Sequence, residues 1–309
     1  MKKAVLFLIF NRLDTTQVVF EQIKVAKPPK LYLASDGARE DKDGEALIVS
    51  DIRKWVLDNV DWDCEIKTLF REENLGCGQA VSSAITWFFE HEEDGIILED
   101  DCVPAQSFFN FCEQMLDKYK NDERIMHICG SNLQFGNKRV EASYYFSKIA
   151  GCWGWATWRR MWEKFDYNMK SFPKFVEQNQ MANIYESKNV QYFWLNNFSY
   201  VYKNPDSIWD FQMVYAVMSN NGLSIIPNTN LIKNIGFSDN STHPGDKNNS
   251  CAKLEKFELA EEITHPNFIL YSKEADDYIH NKLFKTHKQK KKSIGQQIID
   301  KLRGKKQWI

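Results

Sequence analysis

The chain has 309 residues, 40 Lys and Arg against 42 Asp and Glu, and a formal charge of −2. This length can bury a large core as one big α/β domain or a domain with a smaller appendage, and the near-neutral balance argues against specific nucleic-acid binding. Seven cysteines, odd in number and without paired spacing, read as reduced cytoplasmic thiols rather than a disulfide set or zinc ligands.

The apolar run Ala4 to Phe10 behind Lys2-Lys3 outlines a signal peptide, yet Asn11, Arg12 and Asp14 interrupt it before any cleavage signal. A first buried strand is expected instead, and no later stretch approaches the length of a membrane span. Asp14 or Thr15 caps a helix to Ala26, Pro28-Pro29 ends it, and Lys30 to Ala34 forms a strand delivering Ser35-Asp36-Gly37 to a turn. Gly44 to Val60 carries Ile48, Ile52, Trp55 and Val56 at helical spacing, and Cys64 to Phe70 reads as a third strand. Strands alternating with helices imply parallel pairing. Arg71 to Gly78 is a glycine-bearing turn that leads into a helix from Gln79 to Glu90.

Gly95 to Pro104 is the most informative stretch. Ile96, Ile97 and Leu98 read as a fully buried strand that runs straight into Glu99, Asp100 and Asp101. Adjacent acids at a strand end repel one another unless a divalent cation or a ring of donors offsets their charge. The pattern is therefore either a hard-metal site for a diphosphate or an acidic loop. Ligands of parallel sheets bind beyond the carboxyl ends of the strands. Asn11, Arg12, Asp36, Arg71 and the three acids all fall on that edge, which favours the metal and diphosphate reading.

Further on, Gln106 to Tyr119 is an amphipathic helix, and Ile125 to Cys129 and Tyr144 to Ser147 are strands. Gly151 to Arg160 is expected to turn into a helix reaching Phe165, with Trp153 and Trp155 lining a pocket beside flexible glycines. Ser171 to Asn204 is helical but irregular, Asp210 to Asn220 is a helix closed by Asn221-Gly222, and Ser224 to Ile226 is a strand. Asn234 to Asn249, containing His243, is a polar loop able to close over a site. A division near residue 135 separates a nucleotide- and metal-binding half, 1–134, from an acceptor-binding half, 135–280, the two sharing one core. Charge is uneven: from Asn281 onward ten Lys or Arg face the single acid Asp300, which leaves −11 on the preceding 280 residues. This 281–309 tail, with Ile294, Ile298, Ile299 and Leu302 at helical spacing, reads either as a segment lying on an anionic membrane surface or as a solvated tail.

In this order, these residues resemble the metal-dependent GT-A type nucleotide-sugar glycosyltransferases, in particular the N-acetylglucosaminyltransferase I branch and bacterial surface-polysaccharide relatives. The likeness spans roughly Lys3 to His243 and rests on the strand with Asn11-Arg12, the Ser35-Asp36-Gly37 turn, the Arg71 to Gly76 turn and Leu98-Glu99-Asp100-Asp101. It implies an α/β fold of GT-A type: a mixed, mainly parallel sheet flanked by helices, with a Rossmann-like nucleotide-binding half. It also implies a UDP-sugar donor and Mn²⁺ or Mg²⁺ as cofactor. Carried over residue by residue, Asn11 and Arg12 belong to the nucleotide pocket, Asp36 accepts from uracil, and Arg71 grips the base and phosphate side. Glu99 and Asp100 contact sugar and ribose, and Asp101 is the direct metal ligand. Gly151 to Trp155 shapes the sugar and acceptor pockets, Trp209 precedes the catalytic base Asp210, and His243 sits in a loop over the diphosphate.

The implied activity is inverting transfer of a sugar, with GlcNAc a candidate, to a saccharide or lipid-linked glycan in bacterial surface-glycan synthesis. The missing luminal anchor of the family implies a cytoplasmic setting at the inner face of the cell membrane. Asp210 also suits a plain helix cap, and His243 an ordinary exposed loop residue. Two further readings stand beside this one. A nucleotide-sugar pyrophosphorylase or nucleotidyltransferase usually carries a glycine-rich loop after the first strand, and Phe10 to Asp14 has no glycine. A noncatalytic glycan-binding protein would not need carboxylates and arginines gathered on one edge.

Overall fold

The computed structural model describes residues 1–237 and 250–288. Its strands are β1 (Val5–Ile9), β2 (Lys30–Ser35), β3 (Glu65–Phe70), β4 (Asp94–Glu99), β5 (Cys102–Pro104), β6 (Ile125–Cys129), β7 (Tyr144–Ser147), β8 (Trp155–Trp158), β9 (Leu223–Pro227) and β10 (Ile232–Asn234). Its helices are α1 (Leu13–Ala26), α2 (Glu45–Asn59), α3 (Gly76–His91), α4 (Gln106–Lys118), α5 (Arg159–Trp162), α6 (Phe172–Glu177), α7 (Met181–Ile184), α8 (Lys188–Lys203), α9 (Asp210–Ser219) and α10 (Lys273–Lys282). Among the described residues no helix is long and apolar enough to cross a membrane.

Eight strands form one sheet in the order β3-β2-β1-β4-β8-β6-β9-β7, while β10 and β5 make a separate antiparallel ribbon. The pairs β1/β2, β2/β3, β1/β4 and β6/β9 are parallel, and β8 runs antiparallel between β4 and β6, as β7 does to β9. This is the mixed, mainly parallel sheet flanked by helices, with a Rossmann-like half, that the sequence leads one to expect. Alternation along β1 shows how it packs. Leu6 and Leu8 join the core under α3, α8 and α9, whereas Val5, Phe7 and Ile9 join the core under α1, α2 and α4. Burial of both faces explains why the central strands read as unbroken apolar runs.

One expectation fails here. Trp155 to Trp158 is a strand, and the helix after it is only the single turn α5. Both neighbours of β8 lack any other partner on that side, so the sheet captures the segment and buries all four residues. Trp155 is accordingly fully buried, lying between the rings of His127 (centroids 5.3 Å apart) and Trp209 (5.7 Å). It is a core residue, not a pocket wall. The irregular stretch 171–204 resolves into α6, α7 and α8. His243 and residues 289–309 of the basic tail lie outside the described residues.

Candidate functional site

The chain order reverses between β1 and β4, and the carboxyl ends of these parallel neighbours lie side by side. Such a switch point opens the crevice in which ligands of α/β sheets bind. Here it brings Arg12, just beyond β1, onto the acids that end β4. Arg12 Nη2 donates to Asp101 Oδ2 at 2.9 Å and also to Asp100 Oδ1. The backbone of Arg12 is fixed as the N-cap of α1, its carbonyl accepting from Thr16 N at 3.0 Å and Thr16 Oγ1 at 2.6 Å.

Burial dominates the electrostatics of the acids. It pushes Glu99 well above the carboxylate range, reinforced by the charges of Asp101, Asp100 and Asp210. It lifts Asp100 up to about 7, with Arg12 pulling the other way. Asp100 Oδ2 is buried without a hydrogen-bond partner, and the side chain as a whole is 6% exposed. A buried acceptor left unsatisfied costs on the order of 1–3 kcal/mol, so this oxygen is primed for a donor from a ligand.

That side chain lines a cavity of about 210 Å³, together with Arg12, Asp36, Arg39, Arg71 and Glu99. Asp36 is engaged from within the wall. Its oxygens accept from Gly37 N (3.0 Å), Leu75 N (3.0 and 3.1 Å) and Gly76 N (3.0 Å), an anion seated at the start of α3. Burial raises its pKa and these backbone bonds lower it. Arg71 donates to Ser83 Oγ of α3 at 2.8 Å. Asn11 turns away from the cavity and donates to Glu45 Oε1 at 2.8 Å.

Three residues here escaped the sequence reading. Glu45, the first residue of α2, is 4% exposed and takes Arg39 N at 2.7 Å and Arg39 Nε at 3.0 Å, which sets Arg39 in the cavity wall. Hydrogen bonds from Arg39 hold its carboxyl down at about 2. Arg53 reaches from α2 to the carbonyls of Asp36 and Arg71, both at 2.8 Å, and ties the ends of β2 and β3 together. An acid at a predicted helix start was the available signal for Glu45. Arg53 had none, since it sits one residue from Ile52 on what reads as a plain amphipathic helix.

Asp101 leans toward β10. Its carbonyl accepts from Ile235 N at 2.9 Å, its Oδ1 lies 3.4 Å from Cys102 Sγ and 3.5 Å from Asn234 Nδ2, and a Cβ on Gly236 would come within 2.2 Å of its Oδ2. Among the described residues no three His, Cys, Asp or Glu side chains converge to hold a metal between them. A hard cation carried with a nucleotide needs less: one or two carboxylates, with phosphates and water supplying the rest. Asp101, 18% exposed at the edge of the acid cluster, fits that one-carboxylate role.

Asp210 opens α9, with its Oδ1 accepting from Phe211 N at 2.9 Å and its Oδ2 3.9 Å from Cys152 Sγ. Its charge adds to the upward push on both Glu99 and Cys152, so it faces the same acids. Two features fix its place. Trp209, 3% exposed, stacks on Trp155 and is a core ring, not part of the cavity wall. The turn Pro205–Ser207 just ahead of it lies so close to α3 that a Cβ on Gly78 would come within 2.8 Å of the carbonyl oxygens of Pro205 and Asp206. The helix clamped by Asp36 thus also seats the approach to Asp210. Trp153 is partly buried and meets Phe237 edge to face at 5.7 Å.

No family model matches the chain, and no curated protein matches it. Solved structures show partial likeness. HddC from Yersinia pseudotuberculosis is 13% identical over 56% of this chain and 86% of its own, with a TM-score of 0.33. S. aureus TarS is 12% identical over 54% of this chain and 30% of its own, with a TM-score of 0.36. A UDP-glucose pyrophosphorylase complexed with UDP-glucose is 12% identical over 53% of this chain and 79% of its own, with a TM-score of 0.32. At these identities and TM-scores the resemblance is distant, and no activity follows from it.

Proposed function

We propose that the protein is a metal-dependent, inverting glycosyltransferase that moves a sugar from a UDP-sugar to a saccharide hydroxyl in bacterial surface-glycan synthesis. The observation that carries this reading is the buried, unpartnered Asp100 Oδ2 in a cavity that also holds the cations of Arg12, Arg39 and Arg71. A nucleoside diphosphate complements both features, its ribose hydroxyls donating to the carboxylate and its base and phosphates meeting the guanidinium groups. In this reading Arg12 lines the nucleotide pocket and Asn11 braces it from behind through Glu45, which holds Arg39 in the wall. Asp36 is the base-side acid, Glu99 orients the sugar, Trp155 and Trp209 support the sugar side from the core, and His243 belongs to the loop over the phosphates. Asp101 would hold Mn²⁺ or Mg²⁺, which when bound draws off the negative charge developing on the departing diphosphate. Asp210 takes the proton of the acceptor hydroxyl as that oxygen attacks the anomeric carbon from the face opposite the leaving group. Resemblance of the sequence elements to the GT-A glycosyltransferases supports the choice of transfer over other nucleotide chemistry.

UDP release from UDP-sugars, measured with and without a panel of saccharide acceptors, tests the reaction class. Acceptor-dependent UDP release is expected. Formation of UTP from UDP-sugar and pyrophosphate, without acceptor-dependent release, would instead make the protein a pyrophosphorylase. The close approach of Gly236 to Asp101 gives a second expectation: Gly236→Ala displaces the Asp101 carboxylate and weakens Mn²⁺-assisted UDP binding by about 10- to 100-fold, the range for lost support of a metal ligand. The thermal midpoint should barely move, and unchanged Mn²⁺ dependence would remove Asp101 from the metal role. The basic segment 281–309 is proposed to bring the enzyme to an anionic membrane surface bearing a lipid-linked acceptor. Equal sedimentation with anionic liposomes by chains with and without residues 289–309, a cut that keeps α10 and the packed Leu283 and Phe284, would reject the placement.

A further inference from the structure

The pairing of Arg12 with the acids points to a gate: we infer that Arg12 is a resident counter-ion that keeps divalent cations off Asp101 until a nucleotide diphosphate draws the guanidinium away. This rests on the proposed metal role of Asp101 and goes beyond it. Arg12 meets both carboxylates through the single nitrogen Nη2, so one cation serves Asp100 and Asp101 at once. On Asp101, Oδ2 is taken by Arg12 and crowded by the Gly236 backbone, and Oδ1 faces Cys102 Sγ and Asn234 Nδ2. A free metal ion arriving at this carboxylate meets a positive charge already in place, in a setting where exposure of Arg12 is only 18% and screening is weak.

The same geometry supplies the release. Arg12 also lines the cavity beside Asp100, and its backbone is fixed by Thr15 and Thr16, so the side chain alone has to move. A diphosphate offers the guanidinium a two-pronged grip that its one-nitrogen contact with the acids does not provide. Once it turns to the phosphates, Glu99, Asp100 and Asp101 are left without their counter-ion, and a divalent cation at Asp101 restores the balance. Metal and nucleotide then assist each other, and linkage makes that assistance reciprocal.

The test reads binding, not turnover. Free Mn²⁺ affinity, followed by the electron paramagnetic resonance signal of unbound Mn²⁺, is measured without nucleotide for the wild type, Arg12→Gln, Arg12→Lys and Asp101→Asn, alongside calorimetric UDP binding with and without Mn²⁺. Arg12→Gln should bind free Mn²⁺ about tenfold tighter or more, within the usual range of coupling between sites, while Arg12→Lys stays near the wild type. Asp101→Asn should leave the already weak free Mn²⁺ binding unchanged yet abolish the Mn²⁺ enhancement of UDP binding. This arm holds even where the Arg12→Gln chain does not fold. If Mn²⁺ enhances UDP binding to the wild type but Arg12→Gln gains no free Mn²⁺ affinity, or Asp101→Asn loses it, the gate is overturned and the metal role stands. If Mn²⁺ has no effect on UDP binding to the wild type, the metal role fails and the gate fails with it.

Discussion

Asp210→Asn is expected to lower sugar transfer by about 10²- to 10⁴-fold, the usual contribution of a general base, while UDP affinity stays within about threefold. Asn has the shape of Asp and keeps an oxygen for Phe211 N, so the start of α9 is preserved and the proton-accepting power is lost. Loss of one negative charge near a helix N-terminus costs only about 0.3–1 kcal/mol, partly offset here by relief of repulsion with Glu99. The two uses of the residue therefore separate cleanly. A cap alone would show as a small loss of thermal stability with full turnover, and that result would remove Asp210 from the chemistry. Steady-state kinetics and a thermal melt on the same preparation decide between them.

Trp155→Ala should destabilise the fold by about 3–5 kcal/mol, the cost of emptying a large buried ring site. Trp155 is fully buried in the central strand β8, between His127 and Trp209, and the residue after Trp209 is Asp210. The expected outcome is thus a large drop in unfolding free energy by denaturant titration and a loss of transfer as Trp209 loses its backing. Trp155→Phe, which leaves a smaller void, should be milder in both respects. Wild-type stability of the Ala variant with altered sugar preference would return Trp155 to the pocket wall that its neighbouring glycines first suggest.

The contrast between these residues shows what the sequence discloses. β1, β2 and β4 are legible because a strand buried on both faces leaves a near-continuous apolar run, while β3, a largely exposed edge strand, is placed by the strand-helix alternation around it. The carboxyl ends of these four then place Arg12, Asp36, Arg71 and the acids on one edge. β8 is not legible, because Trp158, Met161, Trp162 and Phe165 also satisfy helical spacing, and only the distant strands β4 and β6 decide the contest. The three-residue strands β5 and β10 are too short to carry any period, although they fix Asp101.

α10 is missed for a different reason: polar contacts anchor it. Asp276 is buried and accepts from Lys148 N at 3.0 Å, and His280 accepts from Trp194 Nε1 at 3.0 Å, so hydrophobic periodicity carries little of its docking. The site divides along the same line. The strand-end residues are readable in order, whereas the partnership of Arg12 with Asp100 and Asp101, and of Glu45 with Arg39 and Asn11, depends on which strands and helices become neighbours.

The central claim, a nucleoside diphosphate held at the β1/β4 switch point with the help of a metal at Asp101, is tested most directly by calorimetric titration of UDP, GDP, CDP, ADP and dTDP, each with Mn²⁺ and with EDTA. The account predicts preferential binding of UDP, strengthened by Mn²⁺, with that Mn²⁺ enhancement lost in Asp101→Ala. Absence of binding by any of the five in either condition would contradict it, and would leave the acids at the end of β4 as a structural feature paired with Arg12.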